Sequence, residues 1–238
     1  MVGILTRAPR VGRGKSRLAA AVGAETAAAL SRAFLLDIAH ELGHDDRWDC
    51  ALFVEPPEAC DEVVALTGIV DARPQPIGNI GTRMAAAALS LAASGARTVV
   101  LVGSDAPLLG AGDIGQSLGM LGRHDIVFGP ARDGGYYAVG LGPAAIGTDL
   151  EPLFGDEIPW STKTVLRDSE RVARGLGWSV AHTRPHTDVD TVEDLARLRR
   201  ELAARPGAAA HTRRALRALD AVADASKPGP AQLVISAA

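Results

Sequence analysis

The stretch ILTRAPRVGRGKSRLA, residues 4–19, decides how the rest of the chain is read. It looks like a phosphate-binding loop: an apolar start, glycines, Gly-Lys-Ser, then an apparent helix. A P-loop needs Gly five residues before the Gly of Gly14-Lys15-Ser16. That position holds Pro9. A dinucleotide fingerprint would use Gly12 and Gly14 and needs a third glycine at 17. That position holds Arg17. Both familiar readings fail by one residue. What remains is a cluster of Arg7, Arg10, Arg13, Lys15 and Arg17 directly after a strand-like run, Val2–Leu5. Glycine-rich amides, a helix start and clustered cations all favour an anion. The plainer alternative is a solvated basic loop.

The whole chain narrows the choice. Its 238 residues suit one large domain or two small ones, and 47% apolar residues can fill a core. Charged residues are 22% and the net charge is −3, so the basic loop is a local feature of a mildly acidic protein. That disfavours nucleic-acid binding, which wants a broad basic face. Apolar runs are too short to span a bilayer, and the N-terminus has no signal-like core. Cys50 and Cys60 make no metal motif and read as free thiols of a cytoplasmic protein.

Strand-like runs alternate with helix-length segments. Strands are expected at 2–5, 50–55, 68–72, 98–103 and 178–183. Helices are expected at 25–42, 61–66, 81–93, 114–121, 162–176 and 191–202. Residues 125–142 read as two strands around an Asp-Gly-Gly turn. Such alternation predicts an α/β fold with a mostly parallel sheet and helices on both faces. Ligands then bind beyond the carboxyl ends of the strands. Residues 204–238 read as one helix, about 208–224, and a tail. Cutting the chain after Arg205 is expected to leave a folded core, unless Leu216, Leu219 and Val222 form a packing face.

Several motifs follow strands. LVGSDAPLL (101–109) sets Asp105 at a strand end, as a metal ligand or as a turn cap. HTDVDTVEDL (186–195) gives Thr191 and Asp194 to a capping box and leaves Asp188 and Asp190 free for other work. His182 and His186 read as surface residues. In ARDGGYYAVG (131–140), Gly134 and Gly135 fit a hairpin or a close approach to ligand, and alternation lets only one of Tyr136 and Tyr137 line a pocket. QPIGNIGTRM (75–84) is a glycine-punctuated loop entering a helix with Arg83 in its first turn. IPWST (158–162) offers Ser161 or Thr162 as an N-cap.

Taken in order, APRVGRGKSRL, QPIGNIGTRM, GSDAPLL, DGGYYAVGL, IPWST and DVDTVEDL resemble the bacterial rSAM/selenodomain-associated transferase 1 family. The resemblance spans about residues 1–203. It implies a glycosyltransferase-A-type (nucleotide-diphospho-sugar transferase) three-layer fold over 1–203, with 204–238 as a helical extension. It also implies phosphate binding by the basic loop and a metal, Mg2+ or Mn2+, on Asp105, Asp190 and Asp188. The expected catalytic residues are Lys15, Arg17 and Asp105. The expected substrate contacts are Arg7, Gly12, Arg13, Gly14, Gly81, Arg83, Asp133, Gly134, Gly135 and Tyr136. Two departures stand out: Ser16 follows the loop lysine where Thr is usual, and Asn79 stands where an acidic residue is common.

The reading favoured by residues and resemblance together is a transferase using a nucleotide. Nucleotidyl transfer from an NTP to a small phosphorylated acceptor is preferred. Glycosyl transfer from a nucleotide-diphospho-sugar is the rival, and a non-catalytic nucleotide-binding module is the third option. Partners are then a nucleotide or nucleotide-sugar and a small-molecule acceptor, with room for a homodimer.

Overall fold

A computed structural model describes residues 1–225, with side chains to 221. The tail from 226 on lies outside the described residues. The chain opens with β1 (Val2–Arg7), then the basic loop, then two helices, α1 (Ser16–Val22) and α2 (Ala24–Leu42). Next come β2 (Cys50–Glu55), α3 (Cys60–Thr67), β3 (Ala72–Pro74), α4 (Ile80–Ala93), β4 (Val99–Gly103) and α5 (Ala111–Leu121). The hairpin β5 (Ile126–Pro130) and β6 (Tyr136–Leu141) follows, with α6 (Pro143–Ile146) and α7 (Glu151–Phe154). Last are α8 (Val165–Gly175), β7 (Val180–His182), α9 (Val192–Ala203) and α10 (Ala210–Ala225).

The seven strands form one sheet in the order β3-β2-β1-β4-β6-β5-β7. Pairings among β3, β2, β1 and β4 are parallel, as is β5 with β7. Only β6 runs against its neighbours, β4 and β5. The carboxyl ends of β1, β4, β5 and β7 therefore share one edge of the sheet. This is the expected α/β architecture, mostly parallel with a single reversed strand.

Burial explains why the strands are apolar throughout rather than alternating. In β4, Val99, Val100, Leu101 and Val102 are all buried. One face of the sheet packs through Val100 and Val102 on Leu35, Ile38 and Ile114 of α2 and α5. The other packs through Val99 and Leu101 on Ala88 and Leu91 of α4 and on Phe154 of α7. A sheet covered on both faces needs apolar residues at both parities.

A third cluster joins Leu18 of α1, Leu30 and Phe34 of α2, Leu195 and Leu198 of α9 with Val189 just before it, and Leu216 of α10. Leu216 is 5% exposed. Asp37, buried in α2, accepts hydrogen bonds from the backbone of His211 (2.9 Å) and Thr212 (2.8 Å) and so caps α10. Leu219 packs on this cluster; the Val222 side chain lies outside the described residues.

Four local expectations change. The strand placed at 68–72 lies at Ala72–Pro74: Gly68 closes α3 with a left-handed backbone and Val70 is 86% exposed. The helix after IPWST starts at Val165, with Thr164 at its N-cap position, so Ser161 and Thr162 cap nothing. Asn79, noted as a departure in a binding loop, caps α4 by accepting from Thr82 N at 2.9 Å. His186 is buried, not a surface residue. Its ring stacks edge-on to Tyr137 and lies 3.2 Å from Asp113 Oδ2, without full hydrogen-bond geometry. Asp113 also takes Arg184 Nε at 2.6 Å. The Thr191–Asp194 capping box forms as read.

Candidate active site

The basic loop leaves β1 at the shared carboxyl edge. Gly12 and Gly14 take positive φ and fold the loop back. Lys15 then sits at the N-cap position of α1 with φ 48 and ψ 35. That left-handed conformation costs a residue with a Cβ about 1–2 kcal/mol. Its consequence is visible in the side chain. Lys15 Nζ lies 2.8 Å from Asp105 Oδ1 and 3.0 Å from Asp190 Oδ1. The two carboxylate oxygens are thus no further apart than those two contacts laid end to end.

The Lys15 side chain is 5% exposed and passes over the Phe34 ring at 5.7 Å. It is not the exposed loop cation that the sequence suggests. Burial pushes the ammonium pKa down, but Asp105 and Asp190 outweigh it, and the net shift is upward. Lys15 therefore stays charged. Asp188, next to this pair, lacks such a partner. Burial and the charge of Asp105 raise its pKa to about 7, against a smaller opposing pull from Lys15.

Two chambers flank Lys15. The first, about 240 Å³, lies over the ends of β1 and β4. Arg7, Arg13, Gly14 and Arg83, the residues read as substrate contacts, line it. Arg7 ion-pairs with Glu55 at the end of β2. Arg83 reaches the same carboxylate at 3.8 Å and donates to Gly78 O at 3.1 Å. Buried Gln75 donates to Thr6 O (2.9 Å) and Phe53 O (2.6 Å), which fixes its amide. Glu55, Gln75 and Ser104 complete this chamber and were not singled out from the sequence. Glu55 could have been: like Asp105, it is a carboxylate ending a strand.

The second chamber, about 570 Å³, is lined by Lys15, Arg17, Asp133, Gly135, Tyr136, Trp160, Lys163, Asp188 and Asp190. Asp133 accepts from Gly135 N at 2.9 Å, which sets the hairpin turn. The Tyr136 hydroxyl is buried beside Ser169, just short of hydrogen-bond geometry, so the ring forms the wall. Tyr137 packs on the opposite face and bonds Thr183 at 2.8 Å, as alternation requires.

Two glycines given to substrate have packing reasons instead. A Cβ on Gly81 would lie 2.0 Å from Phe154 O and 2.6 Å from the Trp160 ring. A Cβ on Gly134, which has φ +96, would lie 2.1 Å from Lys163 O. Both are bare because the 154–163 segment presses against them. Trp160 and Lys163, unread in the sequence, belong to that segment. Among the described residues, no three His, Cys, Asp or Glu side chains close into a ready metal cage. Nor is any helix long and apolar enough to cross a membrane.

A mixed sheet of this order, with cations and carboxylates gathered at its carboxyl edge, defines a transferase of the nucleotide-diphospho-sugar transferase fold. The chain belongs to the family described as "Uncharacterized protein conserved in bacteria (DUF2064)", which matches residues 38–162, more than half of its length. This agrees with the resemblance carried by the motifs. The chain is similar to a provisionally assigned nucleotide-diphospho-sugar transferase from Desulfovibrio desulfuricans G20. Identity is 27%, the TM-score is 0.82, and the match covers 96% of this chain and 98% of that one. It is similar in fold to a cytidylyltransferase from Leptospira borgpetersenii serovar Hardjo-bovis, at 10% identity and TM-score 0.56, covering 96% and 97% of the two chains. A CMP:2-keto-3-deoxy-manno-octonic acid synthetase complexed with CTP shares the fold at 12% identity and TM-score 0.53, covering 85% and 98%. No curated protein sequence matches.

Proposed function

We propose that this protein is a Mg2+-dependent nucleotidyltransferase, moving a nucleotidyl group from an NTP to a small phosphorylated acceptor. The observation that carries the reading is the position of Lys15, bonded to Asp105 and Asp190 where the two chambers meet. Nucleotide in the first chamber would bring its phosphates to the loop. Arg13, Lys15 and Arg17 then stabilise the charge that builds up when an acceptor attacks the α-phosphate. Fixed cations in a partly closed site do this without reorganising.

A divalent cation fits the donor set. Asp105, Asp190 and Asp188 offer only carboxylate oxygen, which suits Mg2+ or Mn2+. Two of them would suffice, because Mg2+ takes its remaining ligands from phosphates and water. We assign Asp105 and Asp190 as the direct ligands and Asp188 as the next carboxylate, whose uncompensated charge a dication would relieve. Bound there, the metal would neutralise and orient the phosphates.

One observation favours glycosyl transfer instead: the Desulfovibrio protein, at TM-score 0.82, is assigned to nucleotide-diphospho-sugars. Asp133 would then face the acceptor. Product analysis separates the two. Pyrophosphate released from an NTP supports nucleotidyl transfer; nucleoside diphosphate released from a sugar donor replaces it with glycosyl transfer. A thermal-shift screen of nucleotides with and without Mg2+ identifies the donor, since a ligand of the native state raises the melting point.

A further inference from the structure

The second chamber is the larger of the two, and the segment that walls it is fixed with unusual care. Gly81 and Gly134 both forgo a side chain where this segment touches them. Leu166 N donates to Gly134 O at 3.0 Å. Trp160 Nε1 donates to Gly155 O at 3.1 Å, and its ring meets Tyr136 edge-on with centroids 6.4 Å apart. Between these anchors Ser161 holds a left-handed backbone, φ 64. Strained non-glycine backbone persists where its surroundings over-determine it, and it gathers at functional sites. The anchors do not bury Trp160: it stays partly exposed on the chamber wall, which Ile80, 43% exposed, also lines. Lys163 and Arg17 stand at the same chamber, exposed, with no carboxylate partner among the described residues.

A rigid aromatic surface beside unneutralised cations is a recognition surface for one chemical class. The ring takes an apolar or planar body. The cations take an anionic oxygen group, and charge-assisted bonds of this kind are the strong ones. We infer that the second chamber binds the acceptor, and that the acceptor is a ring- or hydrocarbon-bearing anion lying on Trp160 with its phosphate or carboxylate held by Lys163. This rests on the reading of the first chamber as the nucleotide site.

Fluorescence titration of the full-length protein tests it. The probes are phenyl phosphate, phenylacetate, inorganic phosphate and benzyl alcohol. Phenyl phosphate or phenylacetate should quench tryptophan emission saturably, and whichever binds tighter identifies the anionic group. Inorganic phosphate and benzyl alcohol should each bind at least tenfold more weakly than the better probe. Lys163→Gln, at an exposed position, should weaken that probe about tenfold. Trp160→Phe should abolish the quenching while circular dichroism stays native. Each of the four ribonucleoside triphosphates, added at saturation, should leave the probe's affinity the same or tighter. Quenching that survives Trp160→Phe, an unchanged affinity in Lys163→Gln, or displacement of the probe by a triphosphate overturns the inference. A separate thermal-shift measurement keeps the two readings apart. If no triphosphate raises the melting point, the nucleotide reading fails. If one does and neither aromatic anion binds, the acceptor inference alone fails.

Discussion

Lys15 Nζ lies 2.8 Å from Asp105 Oδ1, joining the loop after β1 to the carboxyl end of β4. Asp190 takes the same ammonium from the other side. The loop cation is thus already engaged by the two carboxylates that we assign to a metal. Nucleotide phosphates and a dication would each change its partners.

Lys15→Met should weaken NTP binding about tenfold to a hundredfold, the range of one charge-assisted contact of roughly 1.5–3 kcal/mol. It should also tighten Mn2+ binding in the absence of nucleotide, because a positive charge leaves the metal's surroundings. Calorimetry reads the first and Mn2+ spin resonance the second. Arg17→Ala, an exposed position, should weaken nucleotide binding without loss of stability. If both variants keep the wild-type affinities, the loop does not hold phosphate.

Asp105→Asn should abolish Mg2+-dependent turnover and leave metal-free stability nearly unchanged. Lys15, buried at 5% exposure, keeps Asp190 as its counter-charge, so no buried charge is left unpaired. A turn-capping Asp would behave differently: Asn caps about as well, and activity would survive. Turnover at wild-type rate removes Asp105 from the metal site.

Gly81→Ala and Gly134→Ala should each destabilise the fold by about 1–3 kcal/mol, the usual cost of overpacking, since backbone oxygens block the new methyl. Gly12→Ala meets nothing within 4 Å and bears only the cost of its positive φ. Urea midpoints rank the three. Equal losses would mean that the 154–163 segment yields easily.

Asp113 gives the pH test. Burial alone would raise its pKa, but His186, Arg184 and the Gly110 N–H outweigh it and hold the carboxyl well below its ordinary value. Its charged form therefore stabilises the fold above pH of about 4, where an unfolded Asp is ionised. That contribution fades as pH falls below this point toward the depressed native value. Asp113→Asn should cost about 1.5–3 kcal/mol at pH 7, the scale for hydrogen bonds to a charged group. The gap between variant and wild type should narrow at pH 3. A constant gap would mean that the pair contributes by shape, not charge.

Leu216→Ala should cost about 2–5 kcal/mol, as for other buried leucines. Removing residues 206–238 should do more, exposing Leu30, Phe34 and Leu198 together. Denaturant unfolding checks both; a shortened chain with unchanged midpoint and slope would show that α10 is dispensable.

Much of this was legible in the sequence because it depends on local chemistry. The place of Asp105, just past the end of β4, follows from an apolar run stopped by polar residues, and that of Asp190 from the helix start beside it. The Tyr136–Tyr137 split follows from the period of a strand, and the α9 cap from Thr191 and Asp194. What was missed depends on distant neighbours. Nothing near Gly81 or Gly134 says that Phe154 O or Lys163 O will lie about 2 Å from a methyl there. The four-residue helices Pro143–Ile146 and Glu151–Phe154 are too short to show a period. The run at 68–70 is apolar but serves as a turn, because Gly68 ends a helix first. His186 reads as a polar residue in a loop until Asp113 is placed beside it.

The third apolar cluster has a consequence for the making of the protein. Leu18 behind the basic loop and Val189 between the two site aspartates share a cluster with Leu216, near the end of the chain. The loop after β1 thus waits for α10, far along the chain, before its support is complete. A nascent chain can assemble β1 through β4 early, yet it carries Lys15 on an unbacked turn until α10 docks on Asp37. A chain cut before α10 would therefore lose the apolar backing behind Lys15 while its sheet could still form.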